Sequence, residues 1–197
     1  MHLRTMFLAA ICLLGAGAAA AQTPPPANPA PGPNTIFGPD AKAPIDIRRT
    51  TIIVADIDRS LKLYRDALEM QVNYDATMTV SGPAFTQGGK PRPIRLVLLN
   101  ANDPWIGWIG LLQYTDGKKM KPAKRDALGL GSHVIVSAVK DATKACQAAE
   151  TAPGVKIMAP LKLQEYPGRN GGPSLKVIGC QLFDADGAYL ELNQRAQ

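Results

Sequence analysis

A single carboxylate stands between two leucines in the stretch FDADGAYLEL near the end of the chain. This carboxylate is Glu191, and it follows a short acidic turn that leads into a predicted strand. Alternate residues of a strand point to opposite faces, so Leu190 and Leu192 can be buried while Glu191 points to the other face. A carboxylate in this position can bind a metal ion, form an ion pair or face solvent, and the stretch alone leaves the three roles open.

Other polar residues that could do chemistry recur at similar intervals along the chain. His133 begins the strand-like stretch SHVIVSAV and lies 84 residues after Arg49. The stretch Leu190-Glu191-Leu192 lies 78 residues after Leu112-Gln113-Tyr114, which pairs Glu191 with Gln113. These intervals indicate a duplicated unit and predict that Arg49, Gln113, His133 and Glu191 occupy equivalent strands.

The elements that must position these residues follow the order strand, helix, strand, strand, strand, and this order occurs twice. Residues 45–116 form the first predicted βαβββ module, residues 117–130 a basic linker, and residues 131–194 the second module. We therefore expect an α+β fold in which the two modules form a curved mixed sheet around a central trough, with the helices outside.

The beginning of the chain has a different composition. Residues 1–21 combine a short basic start, an apolar run and a small-residue tail, which is the pattern of a secretory signal cleaved after Ala21. Residues 22–44 hold eight of the seventeen prolines and predict a disordered tether. The expected product is exported to the periplasm or the extracellular space, and it has no stable membrane anchor after cleavage.

The charge and the cysteines exclude some classes of function. The formal charge of +6 owes much to a basic run in the linker, which we interpret as a solvated segment because no aromatic residues interleave with it. We therefore expect no nucleic-acid partner. The glycine pairs do not join a strand to a helix, so no phosphate-binding loop is indicated. Cys146 and Cys180 could form a disulfide in an oxidising compartment, but we favour two buried, inert thiols.

Three stretches together resemble one known family. IIVADIDRSLKLYRDALEM is similar to its first strand and helix, SHVIVSAV to the first strand of its second module, and FDADGAYLEL to its last turn and strand. The chain over residues 45–194 thus resembles the vicinal oxygen chelate superfamily, which includes glyoxalase I, extradiol dioxygenases and bleomycin-resistance proteins. One departure is Glu69, which stands where the family often has glycine after the first helix.

The resemblance implies a divalent metal, such as nickel, iron, zinc or manganese, at the bottom of the trough. Its ligands would be Gln113, His133 and Glu191, while Arg49 matches the fourth ligand position. Arginine stays protonated and has no lone pair to offer to a metal. In a metal-dependent lyase, isomerase or dioxygenase, Glu191 and Arg49 would act on the substrate, with Arg49 pairing with its carboxylate.

A metal-free interpretation is also open, and we favour it because of Arg49. In it Arg49 pairs with Glu191, and the trough binds a small oxygenated or anionic molecule. A third interpretation gives these residues purely structural roles. Trp105 and Arg169 are further candidates for substrate binding, at a strand and at a loop that could cover the trough. The modules could close within one chain or pair between two chains of a homodimer.

Overall fold

The computed structural model describes residues 45–85, 90–118 and 126–196. The predicted signal peptide, the predicted tether and half of the predicted basic linker therefore lie outside the described residues. Within those ranges the chain forms two four-stranded sheets, each with one helical segment packed against it. The predicted α+β fold of two βαβββ modules is confirmed. No helix in the described part of the chain is long and apolar enough to cross a membrane.

Module 1 is the first of these units. Its four strands are β1 (Arg49–Ile53), β2 (Gln71–Val80), β3 (Arg92–Asn100) and β4 (Trp108–Tyr114), in the spatial order β1-β4-β3-β2. Helix α1 (Ile57–Leu61) follows β1 and continues as a π-helical segment over Lys62–Ala67. Strands β1 and β4 run parallel, whereas the other neighbours are antiparallel.

Module 2 repeats this arrangement. Its strands are β5 (Val134–Ala138), β6 (Lys156–Tyr166), β7 (Leu175–Phe183) and β8 (Tyr189–Arg195), in the order β5-β8-β7-β6. Helix α2 (Ala142–Thr151) follows β5, and a short 3-10 turn covers Arg169–Gly171. Because β1 and β5 each have only one partner strand, both modules end in an edge strand on this side.

Both helices begin in the same way. Asp56 accepts a hydrogen bond from the Arg59 backbone N–H at 3.1 Å, and Asp141 accepts one from the Lys144 N–H at 2.9 Å. Such N-caps satisfy amide groups that have no partner inside the helix. A glutamine from the last strand adds a second cap, discussed below, so the duplication extends to individual hydrogen bonds.

The register of the duplication differs from the one predicted. Strands β1 and β5 match at an offset of 85 residues, and β4 and β8 match at 81, since Thr51 pairs with Gly110 as Val136 pairs with Glu191. The offset shrinks because the connections between the last three strands are shorter in module 2. The predicted equivalences of Arg49 with His133 and of Gln113 with Glu191 are therefore wrong, and Glu191 corresponds to Gly110.

One core joins the two modules. It lies between the helices and the sheet faces that the helices cover, and it includes side chains from both modules. Its most buried large members are listed here: Ile57, Tyr64, Leu99, Leu111, Leu182, Leu190 and Leu192. We call the opposite face of each sheet, which carries no helix, the open face. Alternation along the strands then assigns every strand residue to the core or to the open face.

A disulfide bond fixes helix α2 to its sheet. Cys146 on α2 and Cys180 on β7 are joined, with their Cα atoms 6.1 Å apart, and both are buried. The expectation of two free thiols is therefore wrong. The apolar stripe of α2 places Cys146 on its sheet-facing side, and alternation places Cys180 on the core face of β7. The two positions meet across the core, which spacing along the chain could not reveal.

Candidate functional site

Glu191 lies on the open face of module 2, as the alternation along β8 predicted. Its neighbours Leu190 and Leu192 are 1% and 0% exposed in the core, while Glu191 is half-buried. The amide of Gln181, its cross-strand neighbour on β7, donates to Glu191 Oε1 at 3.2 Å. The amide of Asn193 donates to Oε2 at 3.4 Å. The carboxylate is therefore held by neutral amides on both sides.

A tyrosine extends this group into a row. The Tyr189 hydroxyl donates to Gln181 Oε1 at 2.9 Å, which leaves the Gln181 amide nitrogen directed at Glu191. Partial burial raises the pKa of Tyr189, and the charge of Glu191 raises it further. We name Gln181, Tyr189, Glu191 and Asn193 the polar cluster. It presents one carboxylate and two amides on a surface that is neither core nor fully wet.

Two buried polar atoms beside the cluster have no hydrogen-bond partner among the described residues. They are Asn193 Oδ1 and Gln164 Nε2, the latter on β6 of the same sheet. Gln164 Oε1 is bound by the Tyr166 hydroxyl at 3.1 Å. A side chain at Gly179 would collide with Asn193 Oδ1, so the glycine leaves space for this amide. A buried polar atom without a partner costs about 1–3 kcal/mol, and a ligand could supply the partner.

The corresponding open face of module 1 is apolar. The residues that match Gln181, Glu191 and Asn193 there are Leu98, Gly110 and Leu112. A Cβ atom at Gly110 would stand 2.7 Å from Thr51 Oγ1, so the position that matches Glu191 has no room for a side chain. The polar cluster is thus an addition of module 2 to a fold that does not require it.

Gln113, a predicted metal ligand, lies on the other side of its sheet. Its Oε1 atom accepts a hydrogen bond from the Ile57 N–H at 2.9 Å and caps helix α1. Gln194 does the same for α2, where its Oε1 atom accepts from the Ala142 N–H at 2.9 Å. The structural counterpart of Gln113 is therefore Gln194. Gln113 and Glu191 project from opposite faces, one toward a helix and one toward the open face.

His133 and Arg49 line two separate cavities at the edges of β1 and β5. His133 is exposed and borders a cavity of about 330 Å³ with Asp186 and residues 50–53. Arg49 borders a second cavity, also of about 330 Å³, near the start of β1 and the end of β5. Neither lining includes Glu191, and Arg49 forms no ion pair with Glu191 among the described residues.

The predicted metal ligands do not fit a common metal centre in this geometry. Gln113 uses its oxygen to cap a helix on the core side, whereas Glu191 lies on the open face and His133 borders a cavity without either of them. In the described ranges, no cluster of three or more His, Cys, Asp or Glu side chains has a metal-binding arrangement. A metal held by these three residues stays a prediction, and we derive no chemical step through one.

The two lighter candidates for substrate binding have different surroundings. The guanidinium of Arg48 lies over the Trp105 ring, 3.0 Å from its centroid, so a neighbouring cation covers that face of the indole. Arg169 begins the 3-10 turn after β6, where Asn170 has a left-handed φ of 53°. Ligand contacts of Trp105 and Arg169 stay predictions.

The acidic turn before β8 connects the modules. Asp184 is buried and accepts a hydrogen bond from the Tyr64 hydroxyl at 2.9 Å. Asp186 accepts from Arg59 at 2.8 Å and from the Ala55 N–H at 3.1 Å. Burial raises the pKa of Asp184, although the turn amides and Tyr64 oppose this rise. The turn in FDADGAYLEL thus binds helix α1 of module 1 and has a structural role.

Gln181 and Asn193 were absent from the sequence-based candidates. The signal that could have found them is the one that found Glu191, namely a polar residue alternating with buried ones. Gln181 lies between Cys180 and Leu182, which are 1% and 0% exposed. Only the pairing of β7 with β8 shows that these residues are neighbours of Glu191.

The paired βαβββ modules, with helices on one side and an open face on the other, define a class of small α+β domains. Comparison with known proteins names this class: the profile of the Glyoxalase/Bleomycin resistance protein/Dioxygenase superfamily matches residues 46–192. The chain belongs to this superfamily. None of the curated proteins compared with the chain matches it.

Solved structures agree with this fold at low sequence identity. A glyoxalase family protein from Bacillus cereus superposes with a TM-score of 0.58 at 14% identity, covering 80% of this chain and 99% of that one. A mutant glyoxalase I from Zea mays gives 0.47 at 18%, covering 75% and 46%. A superfamily member from Sphaerobacter thermophilus gives 0.45 at 17%, covering 76% and 97%. At such identities the likeness shows the fold alone.

Proposed function

We propose that this protein is an exported member of the superfamily that binds a small oxygenated molecule on the open face of module 2, without needing a metal ion. The observation that carries the proposal is the polar cluster. Glu191 is held there by two amides at positions that are apolar or empty in module 1. A fold that stays intact with Leu98, Gly110 and Leu112 in one module does not need a carboxylate and two amides in the other.

The atoms of the cluster indicate the chemistry of the ligand. Glu191 accepts hydrogen bonds, and Asn193 Oδ1 is a second acceptor without a donor among the described residues. Gln164 Nε2 is a donor without an acceptor there. A ligand with two hydroxyl groups and a carbonyl or ether oxygen would complement all three atoms. A carboxylate placed directly on Glu191 would be repelled, so the cluster favours a neutral oxygenated group.

Export is supported by two observations. The start of the chain has the pattern of a secretory signal, and Cys146 and Cys180 form a disulfide of the kind that persists in oxidising compartments. Periplasmic or extracellular localisation therefore remains part of the proposal. The first residue of the exported protein, expected to be Gln22, is the direct measurement.

Ligand-observed NMR with a panel of small diols, hydroxy ketones and sugars tests the binding site. We expect binders whose affinity falls about tenfold in Glu191→Gln, because a hydrogen bond to a charged group contributes about 1.5–3 kcal/mol. The matched control is Glu165→Gln, which changes a carboxylate on β6 that bonds Ser174 on the core side of the same sheet. Equal affinity in both variants would contradict the assignment of the site.

Elemental analysis of untagged protein separates this proposal from the metal-dependent alternative. A lyase, isomerase or dioxygenase that used Gln113, His133 and Glu191 would retain nickel, iron, zinc or manganese at one ion per chain. His133→Ala and Glu191→Ala would each lose that ion. Such a result would replace the metal-free proposal with the alternative and would require Gln113 to leave the helix cap.

A further inference from the structure

A cavity of about 330 Å³ lies at the seam between the two modules, where the edge strands β1 and β5 face each other. Ligand sites of small molecules commonly begin near this volume. Its wall is mostly apolar and comes from both modules. The main apolar side chains are Leu68, Met70, Ile109, Ile135, Val139 and Leu190. We call this space the seam cavity.

The strand edges that border the seam cavity have unused hydrogen-bonding groups. The Trp108 N–H donates to the Arg48 carbonyl, and the Val54 N–H donates to the Leu112 carbonyl, which fixes the ladder between β1 and β4. A parallel ladder uses alternate residues of a strand, so the N–H and C=O groups of Arg49 and Thr51 point toward the seam. No backbone hydrogen bond joins β1 to β5 in the parts of the chain that the structure describes.

Arg49 gives the seam cavity its charge. It is the one charged residue in the lining, which otherwise contributes the hydroxyl groups of Thr50, Tyr64 and Ser137. The Tyr64 hydroxyl is already used by Asp184. Arg49 has no ion-pair partner among the described residues, although eight other ion pairs are formed there. A guanidinium is always charged and binds carboxylates in a two-pronged geometry.

We propose that the seam cavity binds a small amphipathic anion, a monocarboxylate whose charged group meets Arg49 and whose apolar body lies between the modules. The apolar wall provides the driving force through burial of the ligand's hydrocarbon, and the single cation fixes its orientation. The free N–H groups of the strand edge are further donors to the carboxylate.

This site is distinct from the polar cluster. Gln181, Glu191 and Asn193 are absent from the lining, although Val136, which borders the seam cavity, is the cross-strand neighbour of Glu191. The two sites also differ in sign, because the cluster carries a carboxylate and the seam cavity carries a guanidinium. The proposal for the seam cavity therefore stands whether or not the polar cluster binds an oxygenated molecule.

Octanoate and its uncharged isostere octanamide are suitable probes, and isothermal titration calorimetry on the full mature chain measures both affinities. We expect octanoate to bind at least tenfold more tightly than octanamide, because a charge-assisted hydrogen bond contributes about 1.5–3 kcal/mol. In Arg49→Gln this difference should disappear while octanamide affinity stays the same. Arg48→Gln is the matched control, since Arg48 stacks on Trp105 and does not line the cavity.

A second variant tests the location of the apolar body. Ser137→Leu places three further carbon atoms in the seam cavity and should weaken octanoate and octanamide alike by about tenfold, with circular dichroism reporting an intact fold. Three results would overturn the proposal: no octanoate binding at millimolar concentration, equal affinity for the two probes, or equal loss in Arg48→Gln and Arg49→Gln. The last result would indicate nonspecific attraction to a basic protein.

Discussion

The two modules share a backbone and differ in what that backbone carries. Both begin their helices with an aspartate cap and a glutamine from the last strand, Asp56 with Gln113 and Asp141 with Gln194. Their open faces have little in common, because module 1 is apolar where module 2 has the polar cluster. Module 2 also has a disulfide, between positions that match Leu61 and Val97 in module 1.

This difference separates the residues that make the fold from those available for function. Hydrogen bonds that recur in both modules satisfy the amide groups at helix ends, and any βαβββ unit of this type needs them. The features that occur once are either reinforcements, such as the disulfide, or groups with no structural need, such as Glu191. We place the function on the second kind.

The largest expected effect comes from removing the disulfide. Cys146 and Cys180 are 34 residues apart, and a cross-link that closes a loop of this size stabilises a domain by about 4 kcal/mol in the chain-entropy treatment. Cys146→Ala with Cys180→Ala should lose about this much free energy of unfolding in urea titrations of the oxidised protein. A loss below about 1 kcal/mol would contradict the role assigned to the bond.

The comparison with module 1 provides a matched variant. Cys146→Leu with Cys180→Val gives module 2 the pair that packs at the same positions in module 1, where Leu61 is 4% and Val97 0% exposed. This variant should recover part of the lost stability through apolar packing while leaving no thiol or disulfide. Recovery equal to the wild-type value would mean that the disulfide contributes packing alone.

The second effect depends on pH and tests the connection between the modules. Burial raises the pKa of Tyr64 well above its usual value, and the charge of Asp184 raises it further. A group whose pKa is raised on folding stabilises the folded state below its unfolded pKa, near 10, and loses that contribution as the pH rises through its folded pKa. Stability should therefore fall in the alkaline range.

Phenolate absorbance during an alkaline titration measures this. Of the five tyrosines, Tyr64 should ionise last and together with unfolding. Tyr64→Phe should remove this late step and cost about 1 kcal/mol at neutral pH, because Asp184 loses one of its donors. Tyr74→Phe, a change at a partly exposed residue with no hydrogen bond recorded among the described residues, should leave the late step unchanged. A Tyr64 that ionises before unfolding would show that the contact with module 2 opens.

How far the sequence predicts this molecule depends on the range of the interaction. Alternation and helical spacing are local patterns, so the order of elements and the outward direction of Glu191 follow from them. The equivalence of Gln113 with Glu191 was wrong because it assumed equal loop lengths, and a small change of offset moves a residue to the other face. Gln181 and the disulfide depend on which strands and helices become neighbours, and spacing along the chain contains no such information.

The smallest expected effect concerns the ends of the first helical segments. Glu69 in module 1 and Gly154 in module 2 occupy matching positions, and both have a left-handed backbone, with φ of 57° and 81°. Glycine adopts this conformation without strain, whereas other residues do so at a cost. Glu69 Oε1 also pairs with Lys144 Nζ of module 2 at 2.6 Å, but both side chains are about 70% exposed and such pairs contribute little.

Glu69→Gly gives module 1 the residue of module 2, and we expect the melting temperature to rise by about 2 °C because relief of the backbone outweighs loss of the exposed pair. Lys144→Met is the control, since it removes the same pair without changing residue 69, and it should shift the melting temperature by less than about 1 °C. If Glu69→Gly lowers the melting temperature as much as Lys144→Met does, the ion pair between the modules outweighs the backbone strain. The departure from glycine in module 1 would then be a device that holds the two modules together, as the Asp184 turn does from the other side.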